Sequence, residues 1–330
     1  MTSSRVARPV LVAGSLNMDL VARCEHLPRE GQTVFGRDFF TAPGGKGANQ
    51  AVAAARLGAR VAMAGCVGRD RFGTALVDGL AADAIDTRFV GTSDQPTGTA
   101  LVTIDAAGAN TIVVIPGANQ ACGAAAIDAA FQALSGPGVL LLQHEIPDDA
   151  NRHALTAART AGWFTVLNPA PARAVPPDLL PLVDILAPNE TEAATLTGCP
   201  AGGRDAALRA ARALLAAGAR AVLVTLGAEG ALYLDPSRAL HCPSVVVPAV
   251  DSTGAGDAFL GALGAALAED QALEAALGFA AAAAALAVTR LGAQPAMGTR
   301  DELAAFIAQH GMPVAKPWAE AAGKALNNIA

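Results

Sequence analysis

The stretch Asp251-Ser252-Thr253-Gly254-Ala255-Gly256-Asp257 stands just before a segment in which Phe259, Leu260, Leu263 and Leu267 recur at helical spacing. Small residues at 254–256 let several backbone N–H groups converge at a helix N-terminus. There, unpaired donors and the helix dipole together attract an anion. A carboxylate at Asp257 inside such a nest lies one residue from a docked phosphate. It is placed to deprotonate a hydroxyl for in-line attack on a γ-phosphate. The same residues also suit a tight turn in which Asp257 caps the helix. A dinucleotide-binding fingerprint does not fit, because Phe259 occupies the third glycine position and no strand runs directly into the turn.

A second loop, Ala42-Pro43-Gly44-Gly45-Lys46-Gly47-Ala48-Asn49-Gln50, leads into a helix over 47–57. Its glycines permit close backbone approach, while Lys46 and Asn49 offer donors to a polar ligand. It is a poor Walker A loop, since the upstream glycine spacing is wrong and Gly47 follows the lysine where Ser or Thr is required. Gly14-Ser15-Leu16-Asn17-Met18-Asp19 follows the first apolar run, at the carboxyl end of a strand, where α/β sheets place ligand groups. Asn17 and Asp19 suit sugar hydroxyls there, and equally suit a turn.

The elements that must position these loops follow from the periodicity. Apolar runs of four to eight residues alternate with helical segments, which predicts a doubly wound, mostly parallel α/β sheet flanked by helices. The expected strands cover 10–13, 61–66, 139–143, 164–167, 185–187 and 221–225. The expected helices cover 47–57, 72–80, 151–161, 190–197 and 204–217. Two stretches break the rhythm: 20–42, and 97–116, where TALVTI and NTIVVI flank the turn DAAGA as a β-hairpin. Together they predict a small β-sheet lid. Residues 1–310 then form the main domain, and 311–330, with two prolines and weak periodicity, an appended tail.

Composition narrows the function classes. The 330 residues are 52% hydrophobic, 16% charged and only 4% aromatic, with net charge −6. That excludes a disordered chain and leaves no basic or stacking surface for nucleic acid. The most apolar run, 275–288, is mostly alanine and contains Gly278. It is shorter than the roughly 18–20 residues of a membrane span, and reads as a buried core helix. Five scattered cysteines without a C-x-x-C pair indicate neither a disulfide framework nor a thiolate zinc site. With no signal-peptide core after Arg8, a cytoplasmic location is expected. His144-Glu145 is not a zinc motif, because Pro147 interrupts any helix that would carry a second histidine.

In order, GSLNMD, PGGKGANQ, LNPAPA, PNETE, VTLGAEG and DSTGAGD resemble the PfkB carbohydrate kinase family over about residues 9–310, and most closely its ribose-phosphorylating branch. The resemblance implies an ATP-dependent sugar kinase that makes ribose 5-phosphate. Asp257 would be the base, and the amides of Gly254, Ala255 and Gly256 the anion hole. Asn17, Asp19, Gly44, Gly45, Lys46, Asn49 and Glu145 match sugar-contacting positions. Asn189 and Glu192 match positions that organise the triphosphate and Mg²⁺. The nucleotide loop matches Thr225, Leu226, Gly227, Ala228, Glu229 and Gly230, with Gly256 completing the ATP set. A K⁺-like monovalent cation is implied at the Asp251 carboxylate, the Thr253 carbonyl and carbonyls near Ala287, Arg290 and Gly292.

Three positions depart from the family pattern. Ser252 replaces the usual Thr and keeps a hydroxyl. Ala296 replaces a common Ser and removes one oxygen from the cation site. Glu229 is acidic where basic residues are common, so its side chain is expected to make no phosphate contact. Family likeness further implies a homodimer clasped through the lid. A nucleoside, 2-deoxyribose or fructose kinase is the nearest alternative, and a catalytically silent sugar-binding protein the next.

Overall fold

The computed structural model describes residues 7–134 and 136–318. The chain enters the main sheet through β1 (Val10–Ala13) and leaves it at once for the long strands β2 (Asn17–Cys24) and β3 (Gly36–Gly44). It returns through α1 (Lys46–Arg56), β4 (Val61–Gly68), α2 (Arg71–Ala82) and β5 (Asp86–Ser93), then makes the hairpin β6 (Gly98–Ile104) and β7 (Asn110–Ile115). The second half runs α3 (Ala124–Ala133), β8 (Val139–Gln143), α4 (Asp148–Ala161), β9 (Phe164–Asn168), β10 (Ile185–Leu186), α5 (Glu190–Thr197), α6 (Gly203–Ala216) and β11 (Val222–Thr225). It closes with β12 (Ala231–Leu234), β13 (Ala239–Cys242), α7 (Ala255–Ala268), α8 (Leu273–Ala287), α9 (Arg300–His310) and β14 (Lys316–Pro317).

The main sheet has the order β14-β13-β12-β11-β10-β9-β8-β1-β4-β5, parallel from β11 to β5 and antiparallel from β12 to β14. Side chains alternate across it: Val10 and Val12 pack toward α1, α7 and α8, while Leu11 and Ala13 pack toward α3, α4 and α6. Both faces are covered, which is why its strands read as unbroken apolar runs. This is the doubly wound arrangement expected, with β2, β3, β6 and β7 forming a separate four-stranded sheet in the order β3-β2-β6-β7. The six expected strands and five expected helices are present with ends moved by at most three residues.

Periodicity missed the edges. β5, with the sequence DTRFVGTS, is half exposed and so carries no apolar run. β12 and β13 are four-residue antiparallel strands linked by short turns with no helix between them, so the alternation of strand and helix does not mark them. The alanine-rich run is the buried helix α8, and among the described residues no helix is long and apolar enough to cross a membrane. Of the expected tail, 311–318 lies along the β13 edge through β14, and Trp318 meets His241 edge-on. Residues 319–330 lie outside the described residues.

Helix α7 is apolar on nearly every side and almost wholly buried, as a central helix must be. It crosses α1 at Gly261, where a Cβ would come within 2.5 Å of both the Gln50 carbonyl oxygen and Ala53 Cβ. That close crossing sets Asp257, one turn upstream on α7, against Asn49 and Gln50 on α1. Gly261→Ala therefore overpacks the crossing. It should destabilise the fold by about 1–3 kcal/mol, seen as a lowered Tm by calorimetry; an unchanged Tm would mean the helices do not meet this tightly.

Candidate active site

Both glycine loops end at helix N-termini that face each other. Gly254 takes the left-handed conformation (φ 74°) just before α7, and Gly45 has a positive φ (88°) with extended ψ just before α1. At Gly45 a Cβ would also meet the backbone of Leu16 and Asn17, so the loop lies flat against the GSLNMD segment. In the first turn of α7, the amides of Gly256 and Asp257 have no hydrogen-bond acceptor among the described residues, while that of Ala255 donates to the Ser252 carbonyl at 3.2 Å. The Asp257 side chain is buried and accepts from Asn49 Nδ2 and Gln50 Nε2, each at 3.0 Å.

The expected sugar residues come together where the small sheet is rooted in the main one. Asn17 and Asp19 begin β2, opposite Gly44 and Ala42 on β3. A Cβ on Gly44 would fall 2.4 Å from the Asp19 carboxylate. One oxygen of Glu145 accepts from the Lys46 amide at 3.0 Å and from the Ser15 hydroxyl, so this carboxylate also caps α1. Asn17 is fixed by Asn119, whose Nδ2 donates to Asn17 Oδ1 at 2.7 Å and whose Oδ1 accepts from the Leu16 amide at 2.9 Å.

Charge is concentrated here. Asp19 has its pKa pushed up to about 7 by burial and by the neighbouring Glu145 and Asp257 carboxylates. Burial works against the charge on Lys46, but Asp257, Glu145 and Glu192 outweigh it and hold its pKa above that of a free lysine. Glu192 is pushed up by burial, with Asp257 adding to the effect and the Asn189 amide and Lys46 opposing it. His144, next to Glu145, is buried and pushed down to about 4, chiefly by burial and then by the Arg173 charge. It stays neutral and forms no metal cluster; among the described residues no group of three or more metal-binding side chains exists.

Two cavities continue from this centre. A polar one of about 200 Å³ is lined by Lys46, Asn189, Glu192, Thr225 and the 254–257 nest. It shares Thr225, Ser252, Ala255 and Gly256 with an apolar one of about 310 Å³, walled by Val245, Val247, Phe259, Ala281 and Val288 and floored by Gly227, Ala228 and Gly230. Two residues of the expected nucleotide loop do not line either cavity. Leu226 is buried in the core below, and Glu229 turns away to pair with Arg204 at 2.9 Å. Asn189 and Glu192 also form the capping box of α5, bonding each other's backbone amides at 2.8 and 2.9 Å.

At the expected cation site, Asp251 Oδ1 accepts from the amide and hydroxyl of Thr253 at 2.9 and 2.7 Å, and Oδ2 accepts from the Gly292 amide at 2.9 Å. Burial pushes the Asp251 pKa up, yet these bonds outweigh it and the net shift is downward. The Ala287 carbonyl accepts from the Arg290 amide at 3.1 Å, the Arg290 side chain pairs with Glu302, and Ala296 is buried with only a methyl group to offer. Sequence reasoning assigned no role to Asn119, Gln50, Gln143, Asn168 or Gln294, all buried at the site. One signal for Asn119 was present: GANQA occurs at both 47–51 and 117–121.

This architecture and site define a small-molecule kinase, and the chain belongs to the pfkB family of carbohydrate kinases, whose pattern matches residues 7–300. Within that family it is similar to ribokinases. It is 38% identical to the ribokinase of Haemophilus influenzae over 301 residues, 91% of this chain and 98% of that one. It is 40% identical to the ribokinase of Bacillus subtilis over 297 residues, covering 90% and 98%. The solved structure of Arabidopsis thaliana ribokinase complexed with ribose and ATP aligns with a TM-score of 0.82 at 33% identity, covering 92% of this chain and 99% of that one.

The raised Asp19 makes a prediction for the sugar-free protein. Its folded pKa of about 7 exceeds the usual 3.8, so the folded state favours the protonated carboxyl. The stability it contributes is complete below about pH 4 and lost as pH rises to 7. Asp19→Asn should therefore raise Tm above pH 7 relative to the unsubstituted protein, with the gain vanishing near pH 4. A Tm difference that does not change with pH would contradict it.

Proposed function

We propose that the chain transfers the γ-phosphoryl group of ATP to the 5-hydroxyl of D-ribose, giving ribose 5-phosphate and ADP. The observation that carries this reading is the continuity of three surfaces. An apolar cavity sized for a nucleobase opens into a polar channel lined by Lys46 and the α7 nest, and that channel ends at Asp257 beside the polar sugar residues. The named relatives and the ribose complex of the Arabidopsis enzyme support the same acceptor and donor.

In this reading ribose hydroxyls bond to Asn17, Asp19, Lys46, Asn49 and Glu145, with Gly44 and Gly45 giving backbone access. Asp257 takes the 5-hydroxyl proton as that oxygen attacks the γ-phosphorus, and the bond from phosphorus to the ADP oxygen breaks in line. Charge developing on the transferred group falls on the amides of the 254–256 nest and on the α7 dipole. Lys46 adds a positive charge to the same channel. Asn189 and Glu192 are the residues that would hold Mg²⁺, which when bound would offset the triphosphate charge. The donor set at Asp251, all hard oxygens on two loops tied together by the Gly292 amide, fits a monovalent cation such as K⁺. The small sheet excludes water from the transfer as a lid. Its edge strand β7 exposes Ile112, Val113, Val114 and Ile115, and β3 exposes Phe39, which suits a second lid packed against it in a homodimer.

A coupled ADP-release assay over a panel of sugars and nucleosides tests the acceptor. Removing one hydroxyl leaves a buried partner unpaired, at about 1–3 kcal/mol or a five- to 150-fold loss. Ribose should therefore exceed 2-deoxyribose in kcat/KM by that factor, and exceed adenosine by more. A nucleoside with the higher kcat/KM would replace the acceptor assignment and leave the kinase assignment standing. No ADP release with any acceptor would favour the silent sugar-binding alternative.

The cation site has its own test. Activity should rise with K⁺ and respond weakly to Na⁺, and Ala296→Ser should lower the K⁺ concentration that gives half-activation. Equal rates with and without K⁺, after stringent removal of contaminating ions, would discard the site.

A further inference from the structure

The Asp257 carboxylate is held by two amides, and each of those amides is held in turn. Asn49 Nδ2 donates to Oδ2 and Gln50 Nε2 donates to Oδ1, each at 3.0 Å. Behind them, Gln294 Nε2 donates to Asn49 Oδ1 at 3.1 Å, and Gln143 Nε2 donates to Gln50 Oε1 at 2.7 Å. All five side chains are buried and come from four different places in the chain, Asn49 and Gln50 being neighbours on α1. We infer that Gln143 and Gln294 are positioning residues for Asp257, acting through Gln50 and Asn49 by fixing which end of each amide faces the carboxylate. The inference rests on Asp257 being the base.

A side-chain amide is nearly symmetric in shape, so packing alone does not choose between its oxygen and its nitrogen. Turned the wrong way, Gln50 or Asn49 would set an oxygen against a carboxylate oxygen in a water-poor site. The outer donors remove that state, because only one orientation of each amide leaves every contact a donor facing an acceptor. Gln143 makes the clearest case. It is fully buried at the end of β8, and its own Oε1 has no hydrogen-bond partner among the described residues. Burying an unpaired amide oxygen is costly, and an apolar side chain of similar size would fill the same space without it. What the amide adds is its donor to Gln50.

Gln294 is braced from outside. It opens a short helical turn, Gln294–Ala296, and Arg56 Nη1 donates to the carbonyls of Gln294 and Met297 while the rest of its guanidinium grips Asp83 at 2.8 and 3.0 Å. Two residues earlier, the Gly292 amide is tied to Asp251. The carboxylate is thereby fixed from the sheet through Gln143 and from the C-terminal loop through Gln294.

The test is a double-mutant cycle with D-ribose and ATP. Gln143→Met should lower kcat about tenfold and leave KM for ribose within about twofold, since Gln50 is not among the sugar-binding residues. In the Asp257→Asn background the same substitution should change kcat less than about twofold, because the group it positions is gone. An equal loss in both backgrounds, or a loss confined to KM, would make Gln143 merely structural and overturn the inference. Gln294→Met runs the same cycle, read on kcat alone because its partner Asn49 also faces the sugar, and decides the matter if Gln143→Met does not fold. Asp257→Asn alone should lower kcat by about 10² to 10⁴-fold; near-normal turnover there would overturn the base assignment itself, a result distinct from failure of the cycle.

Discussion

A carboxylate buried between two helix N-termini is the constraint on which the rest of this site depends. Asp257 sits in the first turn of α7, where the dipole favours a negative charge, and α1 presents Asn49 and Gln50 to it from the opposite side. Neither helix could supply this alone. Their close crossing at Gly261 brings the two together, and the sheet beneath holds both in place. Burial of an anion is tolerated because each oxygen meets a donor and the ammonium of Lys46 lies in the same channel.

The second constraint is covalent economy at the root of the small sheet. β2 starts with Asn17 and Asp19, and β3 ends in the glycine loop that starts α1. The groups proposed to face the sugar therefore stand at the root of the small sheet. Burial first, and the Glu145 and Asp257 carboxylates after it, push the Asp19 pKa up at this root.

Several residues serve structure and chemistry at once. Glu145 caps α1 with one oxygen, and Asn189 and Glu192 cap α5 while lining the polar cavity. The helix-capping reading of PNETE is what the hydrogen bonds show, and a first-turn acid that caps a helix is still free to face the cavity beside it. Asp251 likewise ties two loops together before any cation is considered.

The sequence by itself determined the architecture's centre and its chemical loops. Strands buried on both faces announce themselves as apolar runs, and glycine loops before helices announce anion sites, so β1, β4, β8 and the 251–257 and 42–50 segments were legible locally. Half-exposed β5 was not, since it carries no apolar run, and neither were β12 and β13, which are joined by short turns and so stand outside the alternation of strand and helix. The family resemblance, carried by six short motifs, supplied the roles that periodicity cannot. Only the tertiary structure decided which oxygen meets which donor. Gln143, Gln294 and Asn119 are unremarkable in sequence, the first ending a leucine-rich strand and the other two lying in short turns. Their importance arises from contacts spanning 93, 245 and 102 residues, and such distances leave no local trace. The same folding turned Glu229 and Leu226 away from a loop whose neighbours line the nucleotide cavity, because side-chain direction is set by the turn geometry and by what packs beneath it.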